Sequence, residues 1–219
     1  MSDTARVRIL DRLRRAPRQE LPRPAAAAAA AAPEHGVRVA GLKSLMEAMR
    51  AEVHVVPAAD WLPRLKEILT ARSIRTLLYA PDAGVGAELR AAWDADASGL
   101  PELLAYGEPV ETFKDQLFAV DAAVTTAAGA VADTGAIILR PDPREPRLMS
   151  LVPPVHIAVL PSAAIFPSLS DAMREGRWAA DMPTNLLLIS GPSKTADIEL
   201  TLAFGVHGPK ELIVFILDA

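Results

Sequence analysis

Residues 53–81 read VHVVPAADWLPRLKEILTARSIRTLLYAP. Two short apolar runs, VHVVP and RTLLYAP, flank a segment in which Leu62, Leu65, Ile68 and Leu69 recur at helical spacing. A strand, a helix and a second strand in this order set the strands parallel, because the helix carries the chain back to the starting end of the sheet. The rhythm extends in both directions. Helices are predicted over 41–52, 84–96, 110–120, 162–176 and 195–205, and strands over 101–107, 155–161, 184–190 and 210–217, with two or three short strands punctuated by glycines within 121–140. Strands that are apolar along their whole length are covered on both faces, so the fold class is α/β, with a mostly parallel sheet and helices on both sides.

A chain of 219 residues, about half of them apolar, is long enough to bury a sizeable core. Its 23 basic and 27 acidic residues give a net charge of −4, which argues against a nucleic-acid footprint and against a polybasic membrane surface. With no cysteine, the chain has no disulfide, no thiolate nucleophile and no cysteine ligand for zinc or an iron–sulfur cluster. The four histidines, at 35, 54, 156 and 207, have no metal-ligand spacing, so no metal site is expected.

Residues 1–21 are Arg-rich but lack the apolar core and cleavage site of a secretory signal; Ile9, Leu10 and Leu13 share one face of an amphipathic helix. Residues 22–36 contain eight consecutive alanines between prolines, too few apolar residues to span a bilayer, and read as a linker. The α/β domain is expected over 37–219.

Two motifs carry chemistry. AVADTGAIIL (130–139) presents Asp-Thr-Gly as aspartic proteases do, but the triplet occurs once and lies among helices, whereas that mechanism needs two carboxylates sharing a proton. The plain alternative is that Gly129 and Gly135 permit tight turns between two strands, with Asp133 and Thr134 hydrogen-bonding the turn backbone. LLLISGPSKTADIEL (186–200) runs from a strand through Ser190, Gly191, Ser193, Lys194 and Thr195 into the predicted 195–205 helix. That places free N–H groups and a positive helix end where a carboxylate or phosphate would bind, although Ser193 or Thr195 would serve equally as an ordinary cap. Arg140, Arg144 and Arg147 in RPDPREPRL could clamp a carboxylate, or simply line a solvated loop.

VADTGAIIL, RLMSLVPPVHIAVLP and ISGPSKTADIELTLAFGVHGPKELIVFIL together resemble the LUD-domain family, and most closely its lactate utilization protein C branch, over most of residues 115–219. The resemblance implies a fold similar to the ribose-phosphate isomerase and CoA-transferase group. It also implies a cytoplasmic role in oxidising L-lactate to pyruvate, beside an iron–sulfur subunit and a second cysteine-rich subunit that carry the electrons, with no cofactor on this chain. Oligomeric state is left open. The family's motif positions fall on Asp133, Thr134, Gly135, Pro153, His156, Ser190 to Ser193, Thr195, Asp197, Glu199, His207 and Gly208. The expectation is that the Asp-Thr-Gly turn and the Ser-Gly-Pro-Ser loop converge at the C-terminal ends of neighbouring strands and hold a small anion. Asp133 or Glu199 would act as general base, and His156 or His207 as the orienting group. The alternative is a non-catalytic interaction or regulatory module that keeps an isomerase-like pocket.

Overall fold

The computed structural model describes residues 3–16, 33–107, 110–196 and 202–218. Contacts divide the chain into residues 1–32 and 33–219. The first unit contains α1 (Asp3–Arg15), whose side chains Val7, Ile9, Leu10 and Leu13 are exposed and whose Arg14 pairs with Asp11.

The second unit begins with α2 (His35–Ala48), β1 (Glu52–Pro57), α3 (Trp61–Ala71), β2 (Thr76–Tyr79), α4 (Gly86–Ala95), β3 (Glu102–Ala105), α5 (Val110–Ala119) and β4 (Ala122–Thr126). The three short strands of the middle region are β5 (Gly129–Val131), β6 (Ala136–Leu139) and, after β7 (Val155–Pro161), β8 (Ile165–Phe166). Then come α6 (Leu169–Glu175), β9 (Leu187–Ile189), β10 (Lys194–Ala196), β11 (Leu202–Phe204) and β12 (Glu211–Asp218). Six strands form one parallel sheet in the order β1-β12-β7-β4-β2-β3.

Side chains alternate across this sheet and define its two cores. Leu77, Val124, Ile157, Ile213 and Phe215 face Trp61, Leu65 and Leu69 of α3 and Leu89 and Trp93 of α4. On the opposite face, Ala158, Leu160, Val214 and Ile216 pack against Leu42 and Met46 of α2 and against Ile137 and Leu139 of β6. Phe113 and Leu117 of α5 cover Leu78 and Ala123 on that same face. β6 belongs to a second, mixed sheet, β8-β5-β6-β9, so one side of the parallel sheet is covered partly by helices and partly by strands.

Two predicted helices are corrected. The 162–176 segment is interrupted at Pro167, which cannot donate within a helix. It forms a 3-10 turn at Ser162–Ala164, the two-residue β8, and then α6, where Ser168 accepts the Asp171 N–H at 3.2 Å as N-cap. The predicted 195–205 helix is replaced at both ends by strands, since β10 pairs antiparallel with β11, Lys194 opposite Phe204. The Gly205 N–H bonds the Ser193 carbonyl at 3.0 Å, so the chain doubles back where a helix would carry it away. The signal was in the sequence: residues 195–202, TADIELTL, alternate polar and apolar with period two as well as fitting a helical spacing. The first helix of the domain also begins earlier than predicted, at His35.

The Asp-Thr-Gly triplet sits in the turn between β5 and β6, and Gly135 takes φ +64° there. A Cβ on Gly135 would stand 2.4 Å from Leu45 Cβ. Gly135→Ala is therefore expected to destabilise the domain by about 2–4 kcal/mol, combining left-handed strain with overpacking. Gly41→Ala, inside α2 with nothing within 4 Å of the new Cβ, is expected to stabilise by about 0.5–1 kcal/mol. Urea unfolding of both variants checks the contrast.

Candidate functional site

β7 and β12 lie side by side, and the segments that enter them meet at their N-terminal ends. Ser150 and Leu151 lead into β7, and His207, Gly208 and Pro209 lead into β12. The Ser-Gly-Pro-Ser loop leaves β9 beside them. Its Ser193 N–H bonds the Pro209 carbonyl at 2.9 Å, and a Cβ on Gly208 would lie 3.2 Å from Ser193 Cβ. These segments enclose a cavity of about 160 Å³, lined by Ser150, Leu151, His156, Gly191, Ser193 and His207 among others.

The structure thus gathers His156, Gly191, Ser193 and His207 into one site. It places that site at the N-terminal ends of the strands, not at the C-terminal ends expected for an open α/β sheet. Ile189 of β9 and the loop that follows it line the cavity beside His156, the second residue of β7, which sets the site at that end of the sheet. The free helix N-terminus proposed for residues 190–195 is also replaced. The Ser193 N–H is taken by Pro209, Lys194 is exposed in β10, and Thr195 pairs with Ala203. Ser190 is half-buried at the end of β9 and lies outside the cavity lining. Asp197 and Glu199 lie outside the described residues.

Asp133, Thr134 and Gly135 do not line this cavity. Asp133 and Thr134 are exposed, and the Asp133 main-chain N–H bonds the Pro167 carbonyl at 3.2 Å. The turn is nonetheless close in the fold. The antiparallel register of β6 with β9 ends at Ile137 opposite Ile189, two residues short of Gly135 on one side and of Gly191 on the other. Both glycines press on α2, Gly135 against Leu45 and Gly191 against the Met49 carbonyl, 2.7 Å from where its Cβ would be.

His156 is 1% exposed, and its Nε2 lies 2.7 Å from Thr125 Oγ1 on the neighbouring strand. Burial pushes its pKa down to about 4, so the imidazole is neutral at physiological pH. His207 is exposed at the cavity rim. Among the described residues no group of three or more His, Cys, Asp or Glu is placed to hold a metal ion.

Sequence reasoning did not single out Thr125, Ser150 or Glu145. Thr125 and Ser150 are 2% exposed, and their importance lies in being polar on an otherwise apolar face, which only the fold reveals. Of the arginines weighed as a clamp, Arg140 is engaged by Asp181 and Arg144 by Asp142. Next to Arg144, the Glu145 side chain is largely buried, and its Oε1 accepts the Thr126 N–H at 2.8 Å. Burial raises its pKa to about 7, against the Thr126 hydrogen bonds and with help from the Asp142 charge.

Because the folded state holds the Glu145 proton more tightly than the unfolded chain does, this group's stabilisation is complete below about pH 4.5 and is lost as pH rises through about 7. In Glu145→Gln the amide oxygen can still accept the Thr126 N–H without ionising. The variant is expected to gain on the order of 2 kcal/mol relative to the parent between pH 5 and pH 8, measured by denaturant unfolding at both values.

The LUD domain family matches residues 39–217. An uncharacterized protein of Neisseria meningitidis serogroup B is 36% identical over 184 residues, 82% of this chain and 78% of that one. Lactate utilization protein C 1 of Bacillus mycoides is 34% identical over 104 residues, 46% of this chain and 44% of that protein. Lactate utilization protein C of Halalkalibacterium halodurans is 37% identical over 93 residues, 41% and 40%. The chain therefore matches less than half the length of these two lactate utilization relatives. A DUF162 family protein from Deinococcus radiodurans shares the fold, with a TM-score of 0.60 at 19% identity over 85% of this chain and 99% of that one. With its six-stranded parallel sheet and the family match along most of its length, the chain belongs to the LUD-domain family.

Proposed function

We infer that this chain is the cysteine-free subunit of a cytoplasmic lactate-utilization system, in which it holds a small 2-hydroxy or 2-oxo acid while an iron–sulfur subunit and a second cysteine-rich subunit carry the electrons. The observation that carries this reading is the cavity of about 160 Å³ where the Ser-Gly-Pro-Ser loop meets the buried His156. Its volume suits a three-carbon acid, and its wall combines Leu151 with the hydroxyls of Ser150 and Ser193. The lactate utilization proteins among its relatives support the substrate class. A chain with no cysteine has no thiolate ligands for an iron–sulfur cluster, which fits a division of labour in which a partner carries the electrons.

One observation favours a second reading, in which the chain is a non-catalytic interaction module. No lysine, arginine or carboxylate lines the cavity among the described residues, and His156 is neutral.

Reconstitution of the full chain with its partner subunits, assayed by lactate-dependent dye reduction, separates the two. Ser193→Ala is expected to lower kcat/KM at least about tenfold, the effect of one hydrogen bond to a charged ligand, with assembly unchanged by size-exclusion chromatography. Full activity in an intact complex would leave only the interaction module.

A further inference from the structure

Thr125 and His156 meet through one contact, Thr125 Oγ1 to His156 Nε2, and neither side chain has another polar partner among the described residues. A threonine hydroxyl carries one hydrogen, and a neutral imidazole carries one on either of its two nitrogens. Burial pushes the His156 pKa down to about 4, so the ring carries a single proton at neutral pH.

If that proton sat on Nε2 and pointed at Thr125, the hydroxyl hydrogen would be buried without an acceptor, the costlier arrangement for a side chain that is 2% exposed. If the hydroxyl instead donates to Nε2, both hydrogens are placed, and the ring proton falls on Nδ1. Nδ1 has no hydrogen-bond partner among the described residues, and the space that the His156 side chain lines is the cavity.

We propose that the cavity is a carbonyl-recognition site, in which Thr125 fixes the tautomer of His156 so that Nδ1–H points as an uncharged donor at the keto oxygen of a small 2-oxo acid. The proposal rests on the small-acid reading of the cavity given above and narrows it. A keto oxygen offers two lone pairs and brings no hydrogen of its own. A 2-hydroxyl brings a hydrogen that must find a further acceptor. A 2-ammonium group cannot accept at all. The expected order of affinity is therefore pyruvate, then L-lactate, then L-alanine. His156 is on this view a binding group that polarises a carbonyl, and it is not a general base.

Long-range 1H–15N correlation of the 15N-histidine-labelled full chain reads the tautomer directly, with the His156 signals identified by their loss in His156→Asn. The expected pattern is a protonated Nδ1 and an unprotonated Nε2 that changes in Thr125→Val. A protonated Nε2, or a pattern unaffected by Thr125→Val, overturns the proposal.

Calorimetric titration with pyruvate, L-lactate and L-alanine supplies the second measurement. His156→Asn keeps an amide N–H near the Nδ1 position and is expected to hold pyruvate within about fivefold, whereas His156→Gln moves that N–H outward and is expected to lose about tenfold or more. Equal losses in both variants count against Nδ1 as the donor. The two levels fail differently. If Nδ1 is protonated and none of the three acids binds, the small-acid reading falls and carbonyl recognition falls with it, while the tautomer assignment stands. If the acids bind and Nε2 holds the proton, the small-acid reading survives without carbonyl recognition.

Discussion

The last strand of the chain is an inner strand of its main sheet. β12 pairs with β1 on one side, Val214 opposite Val53, and with β7 on the other, Val214 opposite Ala158. Its residues 212–216 are buried, and they alternate between the two cores: Leu212, Val214 and Ile216 meet the α2 side, Ile213 and Phe215 the α3 side. β1 joins the parallel sheet through β12 alone. β1 is thus held in the sheet by the domain's final strand, a long-range closure whose entropic cost the doubly buried strand offsets. The same insertion creates the cavity, because the segment entering β12 is what meets the segment entering β7.

The seam between the parallel sheet and the small mixed sheet is where the polar groups collect. Most of the face covered by α2 and β6 is aliphatic, yet Thr125, Ser150 and His156 lie buried along it. Glu145 reaches Thr126, one residue beyond Thr125, from the proline-rich loop. Each of these groups has a hydrogen-bond partner, the condition under which polar side chains are tolerated inside. Low dielectric keeps His156 neutral and draws Glu145 toward neutrality, so the seam avoids buried charge and presents hydrogen-bonding capacity in its place.

Much of the parallel sheet was legible because its strands are apolar on both faces and bounded by turn residues. RTLLYAP and VHIAVLP have no amphipathic alternative to weigh. TADIELTL does: a helical spacing and a strand alternation fit the same letters, and the pairing of β10 with β11 decides for strands at its two ends. The site was half legible. Ser193, Gly191, His156 and His207 stand in recognisable motifs and do converge. Asp133 stands in an equally recognisable motif and lies outside the cavity, because a motif does not reveal which side of a sheet its turn will face. Thr125 and Glu145 carry no local signature, since a buried polar group is defined by its neighbours across strands.

The paired glycines at 135 and 191 have a mechanical meaning. Leu45 lies in the last turn of α2 and Met49 is its C-cap, and each rests on a glycine backbone. The end of α2 is therefore a shared floor for the Asp-Thr-Gly turn and the cavity loop, and a side chain added at either glycine would meet it. The exposed Asp133 turn and the cavity loop thus share one wall, and the size of the residue at 135 and at 191 is set by the same piece of helix.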